Sequence, residues 1–300
     1  MTPMDRWFRQ VDVFAEEPFR GNPVAVVHGA DGLADQDMMR FAQWTNLSET
    51  TFLLAPADER ADYRVRIFTP QRELPFAGHP TLGTAHAWLE AGGTPARPDL
   101  VIQECGAGLV PVRRQPRQPR QPGEPGEPGQ PRQPGSGGPL AFRAPPLIRS
   151  GPVGEPLLEE IAVSLGIRRG DIVDAQWADN GPGWVAVELA SARAVLALAP
   201  GATSRHIGVF GRYPAGSPEA FEVRAFTPLV GGAGEDPVTG SLNASLAMWL
   251  LNAGKATAPY TASQGTVLGR RGRVRASADP DGSVWIGGAT RTLVSGTVRL

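Results

Sequence analysis

Two stretches of the chain share one pattern and decide the fold. The first is Phe68-Thr69-Pro70 followed by Pro75-Phe76-Ala77-Gly78-His79, and the second is Phe226-Thr227-Pro228 followed by Pro237-Val238-Thr239-Gly240-Ser241. The same spacing continues downstream in the pairs Ala85/Ala247, Leu89/Leu251, Ala91/Ala253 and Gly92/Gly254. A single tripeptide match arises easily by chance, whereas this ordered set does not. The sequence therefore predicts two similar halves.

Each copy predicts the same order of a strand, a loop and a helix. The strand is Tyr63–Phe68 in the first copy and Glu222–Phe226 in the second, where apolar side chains alternate with polar ones. After a loop containing glycine and proline, apolar helices are expected at Thr81–Glu90 and Leu242–Asn252. A glycine shortly after each helix is typical of a helix C-terminus.

Gly78 and Gly240 stand where each loop meets its helix, and they suggest a paired ligand site. Glycine there allows a positive φ and lets a ligand approach the backbone. The unpaired N–H groups and the positive dipole end of a helix bind anions such as carboxylates. Two matching loops favour one anion site between the halves, with Ser241 beside Gly240. The alternative is that both glycines only turn the chain.

Three ionisable residues are candidates for chemistry beside these loops. Glu49 lies between an expected helix at Gln36–Trp44 and an expected buried strand at Thr51–Leu54. Burial would raise its pKa towards the range useful for proton transfer, although a surface glutamate or a hydrogen bonder at a helix end is the alternative. His79, at a helix start, could be a neutral donor or proton carrier, or only a local cap. Asp236 could assist, or merely be acidic near a helix start; Glu235 beside it is expected to be exposed.

Length and composition exclude several classes of protein. The chain has 300 residues, 41% of them hydrophobic and 20% charged, which fits a folded globular protein of about two domains. The formal net charge of −1 argues against a nucleic-acid binder. Its one cysteine, Cys105, excludes an internal disulfide and chemistry that needs two thiols.

The segment from Gln115 to Gly138 separates the expected domains. Proline recurs there at every third position from Pro116 to Pro134, the period of a polyproline II helix. It is interpreted as a solvated surface loop, with an R-x-x-P-x-x-P partner-binding arm or a short collagen-like run as alternatives. We expect an N-terminal domain at 1–114, a C-terminal domain at 139–289, and a last strand at about 290–300 that returns to the first domain.

The chain lacks the motifs of common cofactor sites. It has no G-x-x-x-x-G-K-[ST] loop, no H-E-x-x-H and no G-x-S-x-G, and its histidines do not have metal-ligand spacing. We therefore expect no nucleotide, flavin or metal cofactor and no nucleic acid partner. No apolar run has the length of a signal peptide or a membrane span, so a cytoplasmic protein without a membrane partner is expected.

Several short blocks of the sequence resemble the PhzF-like family, the phenazine-biosynthesis-like isomerases. Each block is weak alone, but together they follow the family order across nearly the whole chain. The blocks are Val11-Asp12-Val13-Phe14-Ala15, Pro18 to Val27, Ser48-Glu49-Thr50, Phe68-Thr69-Pro70, Gly78-His79-Pro80-Thr81, Glu235 to Ser241, Gln264-Gly265 and Gly269-Arg270. The proline-rich segment is the main departure from the family pattern.

The resemblance implies an α+β fold of the diaminopimelate-epimerase type. This fold has two pseudo-symmetric domains, each a β-barrel-like sheet around a central helix, with the site between them. Glu49 matches the family's catalytic glutamate, whereas the two-thiol racemases of this fold are excluded by the cysteine count. Relatives commonly form homodimers, so a homodimer is expected here.

The residues and the resemblance together favour a cofactor-independent isomerase. Glu49 would move a proton on a small unsaturated or cyclic carboxylic acid, and His79 and Asp236 would assist. The expected substrate-binding residues are Asn22, Ser48, Gly78, Gly240 and Ser241. The alternative is a non-catalytic protein that binds a small acid or acts as a scaffold on the same fold, with the proline-rich arm recruiting a partner.

Overall fold

A computed structural model describes residues 4–114, 138–229 and 232–300 of the chain. The prediction for the proline-rich segment lies outside the described residues, apart from Gly138. The side chains of Leu229, Gly232 and Ala233 are also not described.

The first half contains two helices, α1 (Asp35–Thr45) and α2 (Gly78–Glu90). Its strands are β1 (Asp5–Val13), β2 (Asn22–Val27), β3 (Glu49–Leu54), β4 (Tyr63–Phe68), β5 (Glu73–Leu74), β6 (Leu100–Cys105), β7 (Gly108–Arg114) and β8 (Leu140–Arg143). The expected alternation in β4 is confirmed, because Tyr63, Val65 and Ile67 are all buried on one face.

The second half contains the helices α3 (Glu155–Leu165), α4 (Ala192–Leu196) and α5 (Gly240–Asn252). Its strands are β9 (Arg149–Pro152), β10 (Ile172–Asp179), β11 (Val185–Leu189), β12 (Ile207–Arg212), β13 (Phe221–Leu229), β14 (Gly232–Asp236), β15 (Tyr260–Gln264), β16 (Gly272–Ala278), β17 (Val284–Gly288) and β18 (Thr290–Arg299). Short 3₁₀ turns lie at Arg169–Asp171 and Thr266–Leu268.

The two halves repeat one order of strand pairing. In the first half β2 is parallel to β3, β3 antiparallel to β4, β4 parallel to β6, and β6 antiparallel to β7. The second half repeats this with β11, β12, β13, β15 and β16. β8 and β17 continue the two sheets and pair with each other, with Phe142 opposite Ile286. The internal sequence repeat is therefore a structural repeat.

Each sheet curves around one helix, α2 in the first half and α5 in the second. Both helices are buried over most of their surface, as expected for helices that are apolar on every side. Leu82 and Ala85 of α2, and Leu242 and Leu246 of α5, are among the most buried side chains. This packing places the first turn of each central helix in the interior of the molecule.

The two central helices begin earlier than the sequence pattern predicts. α2 begins at Gly78 instead of Thr81, and α5 begins at Gly240 instead of Leu242. Pro80 is compatible with a first helical turn, because the N–H groups there have no helical partner to lose. The predicted glycine stops are confirmed, since Gly92 and Gly254 have φ values of 93° and 64°.

The last strand, β18, pairs antiparallel with the first strand, β1. The register runs from Asp5 opposite Arg299 to Val13 opposite Thr290, with an irregularity between Gln10 and Val11. β1 also pairs with β2, so the end of the described chain extends the sheet of the first half.

Candidate active site

The starts of α2 and α5 meet at Gly78 and Gly240. A Cβ atom added to Gly78 would lie 2.7 Å from the Cα atom of Gly240, and one added to Gly240 would lie 2.8 Å from the Cα atom of Gly78. Neither residue has a positive φ, so that part of the expectation is wrong. Glycine is required at both positions because the two backbones are in contact. This contact brings the N-termini of α2 and α5 together between the halves.

Asn22 reaches this junction from the first residue of β2. The turn before it is tight: a Cβ atom on Gly21 would overlap the carbonyl oxygen of Val13. Asp12 Oδ2 accepts hydrogen bonds from the backbone N–H groups of Arg20 and Gly21, at 3.1 and 3.2 Å. These contacts fix the direction in which Asn22 enters the junction.

The Asn22 side chain connects the two halves. Its Nδ2 atom donates to Asp236 Oδ1 at 2.9 Å and to the Val238 carbonyl at 3.0 Å, both in the second half. The same atom lies 3.3 Å from His79 Nδ1 in the first half. Asn22 Oδ1 is buried without a hydrogen-bond partner among the described residues. The Asn22 amide therefore holds the loops together and keeps one acceptor atom unused.

Glu49 and His79 face each other within this cluster. Glu49 Oε2 lies 3.3 Å from His79 Nε2, yet the geometry is not that of a hydrogen bond, and neither of these buried atoms has a hydrogen-bond partner among the described residues. Burial raises the pKa of Glu49 well above its ordinary value, and the nearby charge of Asp236 adds to that shift. Burial lowers the pKa of His79 to about 3, although the Pro23 backbone opposes the shift. His79 is therefore neutral, and its contact with Glu49 is not an ion pair.

Asp236 is the second carboxyl group of the cluster. Its oxygens accept hydrogen bonds from Asn22, from the Thr239 hydroxyl at 2.6 Å and, at 3.5 Å, from the Ser48 hydroxyl. Burial raises the pKa of Asp236 to about 6, while these three donors oppose the shift. Since two partly buried carboxyl groups close together cannot easily both be charged, this arrangement favours a single proton held by the pair.

Ser241 lies beside the junction but bonds to a different set of residues. Its Oγ atom accepts from Trp184 Nε1 at 3.1 Å, and its carbonyl accepts from Asn180 Nδ2 at 3.0 Å. The repeat aligns Ser241 with His79, so the two helix starts carry different side chains at equivalent positions. The Ser241 hydroxyl proton remains available for donation, because Oγ acts as the acceptor towards Trp184.

The structure thus brings Asn22, Ser48, Glu49, His79 and Asp236 into one contact network, with Gly78 and Gly240 at its base. Several residues that support this network were not predicted from the sequence. They are Thr239, Gln264, Asn180 and Trp184. Thr239 and Gln264 lie within blocks that carried the family resemblance, and Thr239 also lies within the internal repeat.

The expected exposure of Glu235 is wrong. Its carboxylate pairs with the Arg224 guanidinium at 2.7 Å, and the two side chains are only 11% and 3% exposed. Arg224 also donates to the carbonyls of Val195 and Leu198. Glu235 is buried because this arginine needs a carboxylate partner in the interior.

No metal centre is found in the described part of the chain, where no group of three His, Cys, Asp or Glu side chains could hold an ion. His28, His86 and His206 lie outside the cluster, and burial lowers the pKa of each.

Comparison with protein families identifies the chain. The model of the phenazine biosynthesis-like proteins, PhzC-PhzF, matches residues 11–297. The chain belongs to this family. A relative over nearly its whole length is the fission yeast protein antisense-enhancing sequence 1, from Schizosaccharomyces pombe. It is 35% identical over 96% of this chain and 97% of its own.

Other PhzC-PhzF relatives carry names of isomerases and epimerases. The trans-2,3-dihydro-3-hydroxyanthranilate isomerase of Pseudomonas aeruginosa is 50% identical, over 34% of each chain. The solved structure of a predicted epimerase from the same species is 25% identical and covers 98% of this chain and 99% of its own, with a TM-score of 0.76. The chain is an enzyme of the isomerase class.

The expected diaminopimelate-epimerase-type fold is confirmed. Besides the PhzC-PhzF structures, solved epimerase and racemase structures of lower identity share the architecture, which shows the fold alone. Among the helices of the described residues, none is both long and apolar enough to cross a membrane.

Proposed function

We propose that this protein isomerises a small unsaturated or cyclic carboxylic acid by moving a proton with Glu49, without a cofactor. The observation that carries the proposal is the position of Glu49 Oε2, a buried atom with no hydrogen-bond partner in the described part of the chain, 3.3 Å from Nε2 of neutral His79. An unpaired carboxyl oxygen with a raised pKa is a strong base when ionised and a ready acid when protonated.

The proposed reaction starts from the ionised form of Glu49, after the proton that the carboxyl pair holds at rest has passed to solvent. The Glu49 carboxylate then removes a proton from a carbon next to a conjugated double bond. The electron pair left on that carbon spreads into the unsaturated system and the carboxylate of the substrate. Glu49, now protonated, returns the proton to a different carbon of the same molecule. No electrons are gained or lost, so the reaction needs no oxidant or reductant, and substrate and product are isomers.

The junction of the helix starts supplies the binding contacts in this proposal. Backbone N–H groups at Gly78 and Gly240 would hold the substrate carboxylate at two positive helix ends. The Ser241 hydroxyl would donate a further hydrogen bond. Asn22 Oδ1, Asp236 and the Ser48 hydroxyl would orient the polar groups of the substrate, while neutral His79 limits the position of Glu49.

Hydrogen exchange tests this role of Glu49. Wild type, Glu49→Gln and Glu59→Gln are incubated in deuterated buffer with trans-2,3-dihydro-3-hydroxyanthranilate and with simpler unsaturated ring acids, and deuterium in the acid is followed by NMR. Glu59 is exposed and serves as the matched control. We expect the Glu49 variant to lose exchange by about two to four orders of magnitude, the range typical of a general acid–base group. Exchange at the wild-type rate would refute the proposal.

The alternative of a binding protein without turnover makes a different prediction. Such a protein would gain thermal stability from the correct acid but would catalyse no exchange with solvent. A panel of acids that raise the melting temperature of wild type, none of which takes up deuterium, would replace the isomerase proposal with this alternative.

We also propose that the protein is a homodimer, as the resemblance implies. Sedimentation equilibrium at several concentrations tests this, and a single species with the monomer mass of 31.8 kDa would contradict it.

A further inference from the structure

The two partly buried carboxyl groups of the site receive very different numbers of hydrogen bonds. Asp236 accepts from the Asn22 amide, the Thr239 hydroxyl and the Ser48 hydroxyl. Glu49 Oε2, by contrast, accepts none from the described residues. A buried carboxylate is stabilised by donors, whereas a protonated carboxyl group depends on them much less. The donors therefore favour charge on Asp236 and the shared proton on Glu49.

The donation from Thr239 depends on the orientation of the Gln264 amide. Gln264 Oε1 accepts from the Thr239 backbone N–H at 3.0 Å and from Asn243 Nδ2 at 2.8 Å. Its Nε2 atom donates to the Asp236 carbonyl at 3.1 Å and to Thr239 Oγ1 at 2.9 Å. A flipped amide would place two pairs of donors against each other and an oxygen against a carbonyl. Only one orientation satisfies the network.

The network also fixes its own neighbours. Asn243 Nδ2 donates to the Thr239 carbonyl at 2.9 Å, a group that can only accept, so the Asn243 amide is oriented as well. Because Thr239 Oγ1 accepts from Gln264, the single hydroxyl proton of Thr239 is directed to Asp236 Oδ2. Gln264 is fully buried and Asn243 and Thr239 nearly so, which leaves no room for bulk water to reorient them.

We propose that Gln264 is a positioning residue which, through the Thr239 hydroxyl, keeps Asp236 ionised and so assigns the transferable proton of the pair to Glu49. Asp236 then supplies a fixed negative charge, and Glu49 alone exchanges its proton with the substrate. The catalytic consequence rests on the proposed function, whereas the location of the proton can be measured without substrate.

The other titratable groups around the pair do not make this assignment. His79 faces Glu49 but is neutral, since burial lowers its pKa to about 3. Glu235 is next to Asp236 in the chain, and its negative charge raises the pKa of Asp236, which opposes the assignment. The carboxylate of Glu235 is tied to Arg224, which reduces this opposition. Burial raises the pKa of both carboxyl groups, and the donors that reach Asp236 oppose that shift in Asp236.

Infrared spectroscopy with isotope-labelled side chains tests the location of the proton. The C=O stretch of a protonated carboxyl group is recorded as a function of pH in protein carrying ¹³C-carboxyl Glu or ¹³C-carboxyl Asp. Glu49→Gln and Asp236→Asn assign the bands of the two residues. In wild type near neutral pH we expect the protonated band to shift with labelled Glu and to disappear in Glu49→Gln.

Thr239→Val removes the hydroxyl donor while keeping the shape of the side chain. We expect the pKa of Asp236 to rise by about one pH unit, as for the loss of one hydrogen bond to a charged group, so that part of the protonated band moves to labelled Asp. Thr239→Ser keeps the donor and should match wild type. A wild-type band that belongs to Asp236, or a Thr239→Val spectrum identical to wild type, would overturn the proposal.

Gln264→Leu provides a second test that leaves the hydroxyl in place. Freed from Gln264, the hydroxyl can turn away from Asp236, so the same movement of the band to Asp is expected with a smaller amplitude. Circular dichroism establishes that each variant is folded before its spectrum is used. An unchanged spectrum in folded Gln264→Leu would remove Gln264 from the proposal. If the spectra are as expected but no acid exchanges hydrogen, the isomerase function is refuted and the location of the proton is not.

Discussion

Replacing Gly78 by alanine should force the two central helices apart. The added Cβ atom would lie 2.7 Å from Gly240 Cα, 2.8 Å from Gly240 C and 2.8 Å from the Phe142 ring. Non-bonded carbon atoms prefer about 3.5–4.0 Å, so the overlap is on the order of 1 Å. Two of these neighbours are backbone atoms, which cannot rotate away as a side chain can.

The expected cost of Gly78→Ala is about 1–3 kcal/mol of unfolding free energy, the range for overpacking a tight interior. A displacement of about 1 Å at the helix starts should also slow proton transfer by about 10²-fold. Urea unfolding measures the first effect, and deuterium uptake by the substrate acid measures the second.

Gly170→Ala is the matched control, because a Cβ atom there meets nothing within 4 Å and the φ of Gly170 is not positive. This control should be as stable as wild type or slightly more stable. Gly240→Ala should resemble Gly78→Ala. The double variant should cost less than the sum, since the first alanine already separates the two helix starts that the second would push apart. A Gly78→Ala protein with wild-type stability and exchange would show that the helix starts are not in contact.

Three further results are expected. Glu49→Gln should be more stable than wild type above pH 7, because burial raises the pKa of Glu49 and the wild-type fold loses stability as pH rises from about 4.5 towards that pKa. Urea unfolding midpoints at pH 5 and pH 8 measure this effect. An equal change of the midpoint with pH in the variant and in wild type would contradict it. His79→Asn should lose less stability than wild type on acidification from about pH 6.5 to pH 3, since His79 is protonated only in the unfolded chain over that range. Urea unfolding midpoints measured down to low pH test this. The variant and wild type would lose equal stability if His79 were exposed. Trp184→Phe should lose the hydrogen bond to Ser241 Oγ and about 1 kcal/mol of stability. If Trp184→Phe combined with Ser241→Ala loses more stability than Trp184→Phe alone, Ser241 has other hydrogen-bond partners.

The repeat of strand, loop and helix could be predicted from the sequence because its signals are local. Alternation at Tyr63–Phe68 and glycine after each apolar helix depend on neighbours in the chain. The early start of α2 and α5 could not be predicted, since it depends on contact between Gly78 and Gly240. That contact also explains why the expected positive φ is absent. The two positions require glycine because another backbone lies against them, and not because the chain turns there.

The candidate site was predicted in part. Glu49 next to a buried strand suggested a desolvated carboxyl group, and the raised pKa of Glu49 in the structure has burial as its first cause. The bridging role of Asn22 and the network of Thr239 and Gln264 depend on residues far apart in the chain. The burial of Glu235 could not be predicted for the same reason, because it depends on the ion pair with Arg224.

The pairing of β1 with β18 has a consequence for synthesis on the ribosome. β1 precedes the second half in the chain, so it is translated well before its neighbour β18, which follows that half. During that interval the backbone N–H and C=O groups along one edge of β1 are unpaired and can form hydrogen bonds with strands of other chains. Nascent chains that stall before Thr290 should therefore depend on chaperones more than chains that already contain β18.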